Sequence, residues 1–176
     1  MIGYVVEDNA QEKAVIELTK KMGIRTPGKL IRVMKGNRLE KGCKHVQDML
    51  SRGCAKVIVL KDMEGAPRDL EERFREKGFP PQARLLVIVR EIETWFLADE
   101  DALEDYLGIR VKSFPKPEGI PDPKGKLNHI FEKARGKGSG YHEAGTDPAE
   151  IAKRLRLKVV ERKCPSFRKF KKEVQD

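Results

Sequence analysis

At 176 residues the chain is long enough for one well-buried domain and too short for two comfortable ones. The charged fraction is 37% and the formal net charge is +9, so the expected partner is a polyanion, with nucleic acid first among soluble candidates. Cys43, Cys54 and Cys164 are odd in number, far apart and without a CxxC pair, which excludes a disulfide framework and suggests no zinc site.

Nothing approaches the roughly 20 apolar residues of a membrane span, and the apolar part of Met1 to Glu7 is too short for a signal peptide. The expectation is a cytoplasmic protein with no membrane association. Ile2 to Val6 reads as a first strand reaching Glu7. Asn9 is placed to cap a helix in which Ala14, Val15, Leu18 and Met22 share a face, with Gly23 as its stop. Thr26-Pro27-Gly28 predicts a turn, Leu30 to Met34 a less buried strand, and Lys35-Gly36-Asn37 its end. Leu39, Cys43, Val46, Met49 and Leu50 then fall on one helical face before Gly53.

Val57-Ile58-Val59-Leu60 is a continuous apolar run that breaks into Lys61-Asp62-Met63-Glu64-Gly65, the pattern of a buried parallel strand with an acidic tip. Pro67 suits the first turn of a charged helix. Leu85 to Val89 is the most apolar strand, and it runs into Arg90-Glu91-Ile92-Glu93-Thr94-Trp95-Phe96, whose aromatic residues read as core. Residues 109–146, rich in proline and then glycine, read as a long excursion with one helix near Lys124 to Arg135. Asp147-Pro148 begins another helix, and a basic tail follows, with Phe167 and Phe170 packed on the body if it is an amphipathic helix.

Strands alternating with helices predict an α/β fold: an open, mainly parallel Rossmann-like sheet of about four strands, helices on both faces and a helical C-terminal extension. The whole chain, 1–176, is expected to be one domain, with a core over about 1–108 and the excursion and basic extension over about 109–176. Such folds bind ligands outside the carboxyl ends of their strands. Here those ends carry Glu7, Lys35, Asp62 with Glu64, and Glu91 with Glu93. Carboxylates gathered at one edge repel one another and call for a cation, and oxygen ligands suit Mg²⁺ or Mn²⁺. A metal there would activate water and orient a phosphodiester.

Glu7 after strand one and the Asp62-x-Glu64 pair after strand three resemble the TOPRIM domain of primases, topoisomerases and the overcoming-lysogenization-defect nucleases. More narrowly, Arg90-Glu91-Ile92-Glu93-Thr94-Trp95 and Cys164-Pro165-Ser166-Phe167 resemble motifs of a prokaryotic family of small TOPRIM-like proteins of unknown function. The pattern usually has aspartate where Glu64 stands, a second acid where Gln11 stands, and in the small family glycine at Asp8. The resemblance implies a Mg²⁺-dependent nuclease, as part of a defence system, in which Glu7, Asp62 and Glu64 are catalytic. Glu91 joins those three as a metal ligand, and Glu12 and Glu93 support them. Lys35, Arg90, Lys124, Lys126, Arg168 and Lys169 are the expected contacts to nucleic acid. The alternative is a non-catalytic module that binds nucleic acid or regulates an ATPase partner.

Overall fold

The computed structural model describes residues 1–24, 30–34, 38–63 and 65–176. Glu64, Lys35 and the expected turn at Thr26-Pro27-Gly28 lie outside the described residues. The apolar runs become four strands, β1 (Ile2–Val6), β2 (Ile31–Val33), β3 (Lys56–Asp62) and β4 (Ala83–Ile88), all parallel and in the order β2-β1-β3-β4. The chain moves outward from β1 to β2 and then crosses back to the far side of β1 to lay down β3. That reversal leaves a crevice between the carboxyl ends of β1 and β3, the place where open α/β sheets accept ligands.

Alternation along the central strands sends side chains to two separate cores. Tyr4, Val6, Ile58 and Leu60 face helix α1 (Asn9–Lys21), which supplies Ala10, Ala14, Val15 and Leu18. Val5, Val57 and Val59 face the opposite way, toward Val46 and Met49 of helix α2 (Leu39–Ser51). Helix α3 (Pro67–Glu76) begins with the expected proline, and its Phe74 stacks on Phe79 at 3.9 Å beside that second core.

After β4 the remaining described helices are α4 (Glu93–Leu97), α5 (Glu100–Leu107), α6 (Pro123–Arg135), α7 (Asp147–Arg154), α8 (Leu157–Lys163) and α9 (Pro165–Gln175), with a 3₁₀ turn at Pro117–Gly119. All six helices extend the first core. Trp95 is fully buried, its ring 5.1 Å from Phe167 and 5.3 Å from Phe170, and its Nε1 donates to Ser166 Oγ at 2.9 Å. Truncating such a residue to alanine costs about 3–5 kcal/mol. The excursion delivers Leu127, Ile130 and Phe131 to the same core, which explains why a proline- and glycine-rich segment is ordered.

The basic tail is two helices rather than one. Proline at 165 has no N–H to donate and pushes the preceding residue to extended backbone, and Cys164 accordingly has φ −123° and ψ 100°. Asp8, not Asn9, caps α1, its carboxylate accepting the Gln11 N–H at 2.8 Å. Arg90 is left-handed at φ +65°, unusual for a residue with a side chain, and its carbonyl accepts Met63 N–H at 3.1 Å. No helix among the described residues is long and apolar enough to cross a membrane.

Candidate functional site

Glu7 and Asp62 meet at the crevice. Glu7 Oε2 accepts the backbone N–H of Asp62 at 3.1 Å, so the residue that follows β1 is tied to the last residue of β3. The same oxygen lies 2.7 Å from Lys61 Nζ. Lys61 follows Val57 and Val59 on the inward side of β3, and its side chain is wholly buried. Its ammonium makes no hydrogen bond of normal geometry among the described residues, so the Glu7 contact is an ion pair with N–H donors left over.

Gln11 joins the two carboxylate-bearing ends a second time. It is completely buried; its Nε2 donates to Asp62 Oδ1 at 2.7 Å, and its Oε1 accepts Glu7 N–H at 2.9 Å. Glutamine can do both because its amide is donor and acceptor at once, whereas an ionised acid at this position would only accept. Burial, with Glu7, Asp8 and Glu93 close by, pushes the Asp62 carboxyl up to about 9, against the pull of the Gln11 amide. Burial also raises Glu93, which with the added repulsion of Glu91 and Asp8 reaches about 7. Asp8 is raised by burial, Glu143 and Glu7, although the Gln11 N–H and Lys124 oppose this.

The excursion closes one side of this cluster. Tyr141 donates its hydroxyl to Glu93 Oε1 at 2.9 Å, Lys124 pairs with Glu143, and Lys13 of α1 holds the carbonyls of Ala144 and Gly145. Burial and the carboxylates of Glu93 and Glu143 drive the Tyr141 phenol strongly upward, so it is a donor and not a base. Glu91 takes a different role. It accepts the Lys124 N–H at 2.7 Å, satisfying a free donor in the first turn of α6, and burial raises its carboxyl.

The structure therefore brings Glu7, Asp62 and Glu93 to one cluster, with Asp8, and sets Glu91 at the start of α6. Glu12 is half-buried on α1; its N–H donates to the Asp8 carbonyl at 3.1 Å, and its side chain makes no hydrogen bond or ion pair to the cluster among the described residues. Arg90 is exposed beyond β4, and Lys126 lies over the Phe114 ring at 5.7 Å. Lys124 is bound into the site by Glu143. Arg168 and Lys169 occupy the exposed side of α9, where Arg168 donates to the Glu161 carbonyl and Lys169 lines a cavity along β4. Neither touches the carboxylates. Gln11 and Asp8 stood out in the sequence only as departures from the family pattern, and Lys61 and Tyr141 were given no role there. Lys61 did carry a signal, since it shares the parity of Val57 and Val59 on β3 and is directed to their side of the sheet.

A hard divalent cation fits the chemistry of this donor set. Glu7 Oε1 and Asp62 Oδ2 accept no hydrogen bond among the described residues, and a carboxyl raised as Asp62 is, by burial and nearby acids, is one a cation relieves. The described residues do not themselves arrange three His, Cys, Asp or Glu side chains around one ion position. Water would complete the shell, as is usual for Mg²⁺.

A family model described as a domain of unknown function (DUF4276) matches residues 6–175. No curated protein and no solved structure matches the chain.

Proposed function

The chain belongs to the DUF4276 family, and we propose that it hydrolyses phosphodiester bonds of nucleic acid with Mg²⁺ or Mn²⁺, on a TOPRIM-like sheet. The observation that carries this reading is the Glu7–Asp62 pair at the sheet reversal, with Asp62 pushed up to about 9 by burial and by its acidic neighbours. Such a site is poor at holding negative charge alone and well suited to a divalent cation.

Glu7 Oε1 and Asp62 Oδ2 are the oxygens that would hold the metal, with Glu93 behind them. A bound Mg²⁺ supplies Lewis acidity and lowers the pKa of water. The other work belongs to this chain's own side chains. Lys61 pins the Glu7 carboxylate through Oε2, leaving Oε1 directed by the ion pair. Gln11 orients Asp62 through Oδ1. Asp62 retains a proton at neutral pH until a positive charge displaces it. Lys124, beside the acids and paired with Glu143, gives an approaching phosphate an accessible cation, whereas Lys61 is buried.

Calorimetric titration of Mg²⁺ and Mn²⁺ tests the reading. Wild type should bind with release of protons, and Asp62→Ala should bind at least tenfold more weakly; no metal-linked heat in either protein defeats it. Cleavage of labelled DNA and RNA in Mn²⁺ is the second assay, and activity persisting in Glu7→Ala would show that other residues do the chemistry.

One observation favours a second reading, a non-catalytic module that binds nucleic acid or regulates an ATPase partner. Lys61 and Gln11 already occupy one oxygen on each carboxylate, so the pair is partly neutralised without any ion. Tight nucleic-acid binding with no cleavage in any divalent cation would select it.

A further inference from the structure

We propose that the outer side of α6 carries a second site, which binds an unpaired nucleotide of a single-stranded nucleic acid. An open cavity of about 560 Å³ is lined by Phe114, Ile120, Pro121, Gly125, Lys126 and His129. A smaller one of about 160 Å³ shares Phe114, Lys126 and His129 with it and adds Arg110, Lys112 and Lys133 to the rim. An apolar, aromatic floor inside a ring of cations is the pairing a nucleotide needs, a π-face for the base and positive charge for the phosphates.

Several cations of the neighbouring helices are paired with acids: Arg135 with Asp147, Arg154 with Glu150 and Asp105, Arg156 with Asp99, Lys163 with Glu100 and Lys171 with Glu161. Arg110, Lys112, Lys126 and Lys133 form no ion pair among the described residues, and all four are exposed. The one acid in either lining is Asp122, whose carboxylate is engaged in accepting the Gly125 N–H at 2.8 Å. Lys126 Nζ sits over the Phe114 ring, 5.7 Å from its centre, and its flexible, exposed stem lets the ammonium swing aside to a phosphate when a base takes that face.

Phe114 also packs against the first core at its edge, which holds the ring in place and keeps it from collapsing over the cavity. Continuity sets the direction of the strand. Lys124 N–H bonds Glu91 and Lys124 Nζ bonds Glu143, while Gly125 and Lys126, the next two residues, line the cavity. A strand seated on Phe114 thus passes along the first turn of α6 toward the carboxylates. A duplex, whose bases are stacked and paired, has no free face to offer the ring.

Fluorescence anisotropy on the full chain in EDTA tests this without depending on hydrolysis, with a labelled single-stranded oligonucleotide, the same sequence as duplex, and an abasic strand of equal length. The expected result is that the single strand binds at least tenfold more tightly than either of the others. Phe114→Leu, which keeps the apolar packing and removes the π-face, should weaken single-strand binding at least fivefold, and Phe114→Trp should restore it. Lys126→Ala with Lys133→Ala should lower the slope of log affinity against log salt by about 1.4. Equal binding of the duplex or the abasic strand, or wild-type affinity in Phe114→Leu, would overturn the proposal. Binding that passes these tests in a protein that cleaves nothing would uphold it and defeat the hydrolytic reading alone.

Discussion

The chain buries carboxylates in two regions and treats them oppositely. In the helical layer, Asp147 receives the Arg135 guanidinium at 2.9 Å, the Tyr106 hydroxyl at 2.8 Å and the His142 N–H at 2.8 Å. Burial raises its carboxyl, but those donors outweigh burial and hold it below the usual range. Asp99, wholly buried, is likewise forked by Arg156 through Oδ1 and Oδ2. At the sheet reversal Asp62 receives one side-chain amide and three neighbouring acids, and it rises to about 9. Burial alone does not separate the two regions; the supply of donors does. A fully donated carboxylate holds structure together, and an under-donated one stores repulsion that a bound cation relieves.

The largest expected effect tests the structural side of that contrast. Arg135→Ala strands the Asp147 charge and removes a guanidinium that stacks 4.6 Å over Phe131, so urea unfolding should show a loss of about 3–5 kcal/mol. Lys61→Met should cost about 3 kcal/mol, because Glu7 loses its buried cation. Adding Glu7→Gln should recover most of that loss, and a double-mutant cycle with no coupling would refute the pair's importance.

Asp62→Asn should act in the other direction and raise stability above neutral pH. The carboxyl's folded value, about 9, lies above its ordinary 3.8, so the folded state binds the extra proton and stability falls as pH rises through that window. The melting temperature of wild type should therefore decline between about pH 7 and 9, and that of the asparagine variant should decline less. Asp147 has the opposite sign: its contribution is present above 3.8 and is lost as pH falls through its lowered value. The smallest effect belongs to Tyr141→Phe, about 1 kcal/mol, with the Glu93 titration moving upward by carboxyl NMR once the hydroxyl donor is gone.

Particular residues show how far the chain could be read in advance. The continuous apolar runs and the acidic strand tips identified β1, β3, Glu7 and Asp62, because those signals are local. The neighbours of β1 were not local information; they depend on α1 and α2 packing on opposite faces of the sheet. The position of Glu93 against Asp62 depends on the left-handed turn at Arg90, which no propensity predicts for arginine. Tyr141, Glu143 and Lys124 reach the site only because the excursion folds back over it, and the Arg135–Asp147 network that anchors it spans residues of different helices. Lys61 was visible in the strand pattern, but its partner became clear only when β1 and β3 were seen side by side.

The turn at Arg90 also bears on how this protein can be engineered. Glycine would take the same backbone angle without steric penalty, and the strain of a side chain there is about 1 kcal/mol. Arg90→Gly would couple two changes, a looser and more easily satisfied corner and the loss of a rim cation. Arg90→Asn separates them, since asparagine tolerates the left-handed region and carries no charge. The corner is thus a dial with independent settings for rigidity and for charge, one residue from the chain that feeds the acidic cluster.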